Sequence, residues 1–225
     1  MAEVAAIVLA AGSGQRMGPG HGDKVWADLG GSPVLRHTLT VFQHAASVHT
    51  IVLVTREDLR ARSEALIVDV GLTKVHAVVG GGATRRESTR NGLAVLARGR
   101  FDVVTVHDAA RPFIDERIIA EGVALAREHG AAIPVIPVSD TIKRVSGSAI
   151  VDSPTREDLR AAQTPQAFRL DLLVRAHESA DDTATDDGVL VERLGYTIRA
   201  YPGSVRNIKI TVAEDLLFAR ALLAT

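Results

Sequence analysis

Ile7-Val-Leu-Ala-Ala-Gly-Ser-Gly-Gln-Arg-Met-Gly-Pro-Gly-His-Gly-Asp-Lys24 is the stretch whose reading decides the fold. A continuous apolar run ends in glycines at Gly12, Gly14, Gly18, Gly20 and Gly22, with Arg16 and Lys24 as its cations. A strand apolar on both faces belongs in the middle of a parallel sheet covered by helices. A loop nearly bare of side chains lets backbone N–H groups approach an anion, and the cations neutralise what those groups hold. The stretch therefore predicts a first sheet strand, Val4 to Ala11, feeding a phosphate-holding loop.

The same rhythm continues downstream. Gly31-Ser32-Pro33 places Ser32 as N-cap and Pro33 at the first position of a helix whose stripe is Val34, Leu35, Leu39 and Phe42. Thr50 to Thr55 reads as a second strand, Glu57 to Val70 as a second helix and Val75 to Val79 as a third strand. Thr84-x-x-Glu87 is a capping box that sets Arg85, Arg86 and Ser88 in a first helical turn. Phe101 to His107 is a fourth strand, and Asp115 caps a helix over Ile118 to His129. Ala131 to Val138 is a fifth strand whose two prolines predict an edge or a strand end. From Ser139 the rhythm breaks: Thr141 to Val145 and Ala149 to Val151, joined at Ser146-Gly147-Ser148, read as a β-hairpin arm leaving the sheet. Helices over Leu170 to Glu178 and Gly188 to Leu194 follow, then strands over Thr197 to Tyr201 and Asn207 to Ile210, and Thr211-x-x-Glu214 caps a last helix to Leu223. The expected architecture is α/β, a doubly wound, mostly parallel Rossmann-like sheet in a single domain over residues 1–225, with an arm at about 139–163.

Three loops, 12–24, 80–88 and 107–112, fall at C-terminal ends of strands, where doubly wound sheets bind ligands, so they converge on one crevice. The glycines run G-x-G-x-x-x-G, and no ribose-binding acid follows at the expected distance, which disfavours a dinucleotide oxidoreductase. Lys24 is followed by Val25, so the loop is no Walker A motif. Asp108 and Arg111 emerge from a buried strand into the crevice; a carboxylate beside polyphosphate holds Mg²⁺ or a substrate hydroxyl, the alternative being a helix cap with a surface ion pair. Lys209 is a site lysine or a solvated strand lysine, and Thr141, Lys143, Arg156 and Thr164 on or beside the arm are, by themselves, solvated residues.

Composition bounds the rest. The 225 residues carry a formal net charge of −1, which excludes bulk electrostatic attraction to nucleic acid, and their 46% hydrophobic content suffices for a core. Without cysteine there is no disulfide, thiol nucleophile or cysteine zinc site. The eight histidines show no ligand spacing, and no G-x-S-x-G elbow occurs. The apolar start is too short for a signal peptide or membrane span, so the cytoplasm is the expected location.

Taken together, A-A-G-S-G-Q-R-M-G (Ala10 to Gly18), Lys24, G-G-x-x-R-x-x-S (Gly81 to Ser88) and H-D-A-A-R-P (His107 to Pro112) resemble one family. The resemblance continues through D-T-I-K (Asp140 to Lys143), Q-T-P-Q-A-F (Gln163 to Phe168), T-D-D (Thr185 to Asp187) and N-I-K-I-T (Asn207 to Thr211), and the family is 2-C-methyl-D-erythritol 4-phosphate cytidylyltransferase. The resemblance implies transfer of CMP from CTP to methylerythritol phosphate with Mg²⁺ and release of pyrophosphate. It implies CTP contacts from Ala10, Ala11, Gly12 and Gly14, phosphate contacts from Arg16 and Lys24, and cytosine recognition by Gly82 and Ser88. Asp108 would lie by ribose, metal and acceptor, Lys209 at the α-phosphate, and Arg111 on the substrate side. Thr141 and Arg156 would reach the acceptor in the neighbouring subunit of a homodimer, with Thr164 nearby. The chain departs from the family pattern at Asp23, where a proline often precedes the loop lysine, and at Ala83, where an acid often follows the paired glycines. A cytidylyltransferase for another alditol phosphate, such as ribitol 5-phosphate, shares these loops; a nucleotide-binding regulator without turnover is disfavoured by Arg16, Lys24, Asp108 and Lys209 together.

Overall fold

A computed structural model describes residues 3–12, 23–97, 99–179 and 184–224. Strand β1 (Glu3–Ala10) leads to the short pair β2 (Asp28–Leu29) and β3 (Ser32–Pro33), then α1 (Val34–His44), β4 (Thr50–Thr55), α2 (Arg60–Val70), β5 (Val75–Gly80) and α3 (Arg85–Leu96). Next come β6 (Phe101–Asp108), α4 (Glu116–His129), β7 (Ala131–Pro137), the hairpin β8 (Arg144–Ser146) and β9 (Ala149–Asp152), β10 (Arg160–Ala162) and β11 (Gln166–Arg169). The chain ends with α5 (Leu170–Ser179), α6 (Asp187–Arg193), β12 (Arg199–Pro202) and α7 (Ala213–Leu223).

Among the described residues the main sheet runs β10-β7-β11-β6-β1-β4-β5, with β12 paired to β7. β1 lies parallel between β4 and β6, so the strand that opened the reading is central. Its side chains alternate: Ala6, Val8 and Ala10 pack with Leu35, Leu39 and Phe42 of α1 and Ile118 and Ile119 of α4. Ala5 and Ile7 pack on the other face with Leu93 and Leu96 of α3 and Leu172 and Leu173 of α5. Two buried faces explain why β1 is apolar from Val4 to Ala10, and each large aliphatic or aromatic side chain removed from water contributes about 1.5–3 kcal/mol.

The doubly wound, mostly parallel sheet matches expectation, with corrections. Ser32 does not cap α1: Ser32 and Pro33 pair with β2, and Pro33 occupies the cap position with no side-chain hydrogen bond. β7 ends at Pro137, one of the two places expected for its prolines, but it is no edge, because β12 covers one side and β11 then β10 the other; Pro134 sits where the partner changes, so its missing N–H breaks no ladder. β11 joins the sheet antiparallel between β6 and β7, in a stretch whose four residues carry no strand pattern. Asn207 to Ile210 forms no strand, and α7 is capped through Asp215, whose Oδ2 accepts from the N–H groups of Thr211 (2.7 Å) and Val212 (3.0 Å), not through Glu214. β8 and β9 pair only with each other, later than the expected Thr141 start, around Gly147 at φ +58°; residues 139–153 are all exposed.

Candidate active site

The carboxyl ends of β1, β5 and β6 surround a cavity of about 480 Å³. Its walls include Ala10 at the end of β1 with Ala11 and Gly12 after it, Gly82 to Arg85 and Ser88 at the start of α3, Asp108 at the end of β6, and Lys24 and Lys209. Glycine is required at position 81 because an added Cβ would stand 2.2 Å from the Ala11 Cβ; the 80s loop can thus abut the end of β1. The expected capping box forms, with Thr84 Oγ1 accepting from the Glu87 N–H (3.1 Å) while Glu87 Oε2 accepts from the N–H groups of Ala83 (2.6 Å) and Thr84 (3.4 Å). Ser88 Oγ donates to the Thr84 carbonyl (2.9 Å) and accepts from the Gly82 N–H (3.1 Å), fixing the loop that faces the cavity.

Charge at the cavity is organised around Asp108. Its Oδ2 lies 2.6 Å from Lys209 Nζ and its Oδ1 3.7 Å from Arg85 Nε. Burial pushes this carboxyl up, but Lys209 and Arg85 outweigh it and hold it well below the usual carboxylate range. Arg85 also pairs with Asp187 (Nη1 to Oδ2, 2.6 Å), and Asp187 Oδ1 lies 2.9 Å from His177 Nε2. Asp187, only 1% exposed, is pushed up by burial and pulled further down by Arg85 and His177. Lys209, Asp108, Arg85, Asp187 and His177 therefore form one continuous chain of contacts from the cavity to α5 and α6. Arg85, Asp187 and His177 were not recognised as members of the site from sequence. The signal was there for two of them: Arg85 sits in the glycine-pair motif and Asp187 in T-D-D, a stretch that also starts a helix, since Asp186 caps α6 at the Val189 N–H (3.0 Å).

The backbone of Asp108 has its own support. Thr164 Oγ1 accepts from the Asp108 N–H (3.1 Å) and lies 3.1 Å from His107 Nδ1, while His107 Nε2 faces the Arg111 carbonyl at 3.2 Å. A carbonyl accepts only, so Nε2 carries the proton, and Nδ1 accepts from the Thr164 hydroxyl. This pattern fits a neutral ring, and complete burial pushes the His107 pKa down to about 4.

Lys24 opens a short 3₁₀ turn, Lys24–Trp26, capped by Asp23. Position 23, where the chain departs from the family pattern, thus carries a side chain with a defined structural task.

Ala10, Ala11, Gly12, Lys24, Gly82, Ser88, Asp108 and Lys209 all line this one cavity. Gly14 and Arg16 lie outside the described residues. Arg111, Thr141, Arg156 and Thr164 do not line the cavity. Arg111 Nη1 donates to the Asn207 carbonyl (2.7 Å), which ties down the segment carrying Lys209. Thr164 is 6% exposed with its hydroxyl engaged as above. Thr141 and Arg156 are exposed on the arm, where Arg156 Nη1 donates to the Ser139 carbonyl (2.9 Å). The described residues contain no cluster of three or more His, Asp or Glu able to hold a metal, and no helix among them is long and apolar enough to cross a membrane.

A mixed, mostly parallel sheet with helices on both faces, opening at its carboxyl edge into a cavity of glycine-lined backbone, two lysines and one carboxylate, is the α/β nucleotidyltransferase fold. The family model for 2-C-methyl-D-erythritol 4-phosphate cytidylyltransferase matches residues 4–225. The chain is 45% identical to the enzyme of that name from Geobacillus kaustophilus, over 98% of this chain and 96% of the relative, and 41% identical to that from Geobacter metallireducens, over 98% and 97%. It is similar in structure to the 4-diphosphocytidyl-2C-methyl-D-erythritol synthase of Anaerococcus prevotii (TM-score 0.86, 30% identity, 100% of this chain and 97% of the other). It is likewise similar to the 2-C-methyl-D-erythritol 4-phosphate cytidylyltransferase of Thermus thermophilus (TM-score 0.79, 31% identity, 99% and 100%). The chain belongs to the 2-C-methyl-D-erythritol 4-phosphate cytidylyltransferase family.

Proposed function

We propose that the cavity at the ends of β1, β5 and β6 is where this chain joins CTP to its acceptor. As a member of its family the chain transfers CMP from CTP to the phosphate of 2-C-methyl-D-erythritol 4-phosphate, releasing pyrophosphate, in non-mevalonate isoprenoid biosynthesis. The observation that carries the assignment of the cavity is the meeting of Lys24, Lys209 and Asp108 beside the bare backbone of residues 10–12 and 82–83.

An acceptor phosphate attacking the α-phosphorus brings two anions together and builds charge on the equatorial oxygens. The nucleophile is already ionised, so no strong base or covalent intermediate is needed, and positioning with charge neutralisation supplies the rate. In this reading Lys24 and Arg16 hold the CTP phosphates, Lys209 neutralises the α-phosphate, and Gly82 and Ser88 shape the base pocket beside Ala10, Ala11, Gly12 and Gly14. Asp108 fits Mg²⁺ in the manner of that ion's usual sites, one carboxylate oxygen with the remaining ligands from substrate phosphates and water. When bound, the ion neutralises phosphate charge; the protein's contribution is to hold Asp108 ionised between Lys209 and Arg85.

The same proposal makes the whole chain one nucleotidyltransferase unit working as a cytoplasmic homodimer through the arm. Ile142, Val145, Ile150 and Val151 are exposed on the arm, an apolar surface suited to a second copy, and Arg111, Thr141, Arg156 and Thr164 would then serve the acceptor side. Chains carrying Arg156→Ala and Lys24→Ala, each nearly inactive alone, should regain about a quarter of full activity when mixed, since half the dimers are mixed and each then holds one complete site. Absence of rescue in verified mixed dimers would mean that each site is built from one chain.

Pyrophosphate release from CTP and Mg²⁺, with each alditol phosphate offered separately, tests the reaction. The expected result is release with methylerythritol phosphate; preference for ribitol 5-phosphate would change the acceptor, and no release with any acceptor would leave a nucleotide-binding regulator.

A further inference from the structure

We propose that Asp23 is a positioning residue for Lys24, capping the turn that carries the lysine and latching that turn to Arg56 at the end of β4. The inference rests on the reading of Lys24 as a ligand of the CTP phosphates.

The Asp23 side chain is only 6% exposed. Its Oδ1 accepts from the Val25 N–H (3.1 Å), and its Oδ2 lies 3.4 Å from Arg56 Nη1. Arg56 directly follows the last residue of β4 and is itself clamped by Asp58, to which its Nε donates at 2.9 Å. On the other side of Lys24, Val25 is buried in the core, and Arg62 of α2 stacks over the Trp26 ring with its guanidinium carbon 4.0 Å from the centroid. The Trp26 N–H donates to the Asp23 carbonyl (2.9 Å), closing the turn. Lys24 is therefore held from both directions, with the sheet as the frame.

This matters because five glycines, Gly12 to Gly22, separate the lysine from β1. A lysine whose backbone is already fixed by its own turn does not have to be ordered when a phosphate binds, which removes that cost from binding. The bland alternative is a cap and ion pair that only stabilise the fold. Backbone geometry separates the two: Asp23 sits at φ −79°, ψ 126°, within the range a proline ring would impose. Side-chain bonds hold position 23 where a covalent ring could hold it equally well, so a proline can replace the carboxylate's positioning task while supplying neither its cap nor its charge.

Asp23→Ala, Asp23→Pro, Lys24→Ala and the double variant Asp23→Ala/Lys24→Ala, all in the full chain, test this by calorimetric titration with CTP and steady-state kinetics. Asp23→Ala is expected to raise the CTP dissociation constant and KM roughly five- to tenfold, the range a lost cap commands, with the acceptor KM unchanged. Asp23→Pro should return CTP affinity to within about twofold of the unaltered chain, and Asp23→Ala should add nothing beyond about twofold on the Lys24→Ala background. Unchanged CTP affinity in Asp23→Ala, an equal loss in Asp23→Pro, or a full additional loss in the double variant would each overturn the proposal. Failure of the underlying reading looks different: the unaltered chain itself would then bind CTP no better than Lys24→Ala does.

Discussion

Lys209→Ala is expected to lower kcat about a hundredfold, with kcat/KM falling in parallel and the CTP KM changing little. The lysine ammonium reaches the cavity from the segment after β12 and lies 2.6 Å from Asp108 Oδ2. Charge on the α-phosphate grows as the acceptor attacks, so a cation placed there stabilises the transition state more than the ground state. A second effect works in the same direction: without Lys209, Asp108 keeps Arg85 at 3.7 Å as its remaining cationic contact of the two. The carboxyl is then pushed up, because burial, the largest influence on it, loses the first of the cations that oppose it. Arginine at 209 restores the charge but not the compact point contact, and should recover only part of the rate. Steady-state kinetics over a CTP series decides: an unchanged kcat removes Lys209 from the reaction, and a pure KM effect reassigns it to ground-state binding.

The fold was legible where one residue pattern had one physical meaning. β1 is apolar from Val4 to Ala10 because it is covered on both sides, and the Thr84-Glu87 spacing names a cap that closes in the structure. Reading failed where tertiary contact replaced local pattern. Asn207 to Ile210 alternates like a strand, but Asn207 is fully buried and bonds through its side chain to the Thr164 carbonyl (2.9 Å), while the Ile210 N–H reaches the Ala110 carbonyl (2.8 Å). Those bonds satisfy the segment without a ladder, and they still deliver Lys209 to the cavity. β11 was invisible because four residues set no period; its place depends on the gap between β6 and β7. In the site, glycines and lysines announce themselves, whereas Arg85, Asp187 and His177 are joined only by folding, over separations of 102 and 10 residues.

His107 provides the other large effect, in stability. Its pKa is displaced from the ordinary 6.5 to about 4 by complete burial, while Asp108 and the neighbouring bonds only partly oppose the displacement. The unfolded chain takes up this proton first as pH falls, so the stability contributed is fully present above pH 6.5 and is lost as pH drops toward 4. A displacement of this size corresponds to about 3 kcal/mol, or a fall in Tm of roughly 6–12 °C for a chain of this length. Asp108 and Asp187 are depressed carboxylates, and their contributions disappear only below the ordinary carboxylate value of 3.8, so the two windows separate. His107→Gln keeps an acceptor for the Thr164 hydroxyl and a donor for the Arg111 carbonyl but cannot titrate. That variant should start less stable at pH 7, because the ring's contact with Phe42 at 5.0 Å between centroids is lost, yet should show a much flatter Tm between pH 6.5 and 4. An equally steep decline in His107→Gln would show that another group controls the acid side. Because the same ring fixes Thr164 against the Asp108 N–H, the onset of acid unfolding should coincide with loss of activity, linking the stability of the β6 end to the placement of the carboxylate it carries.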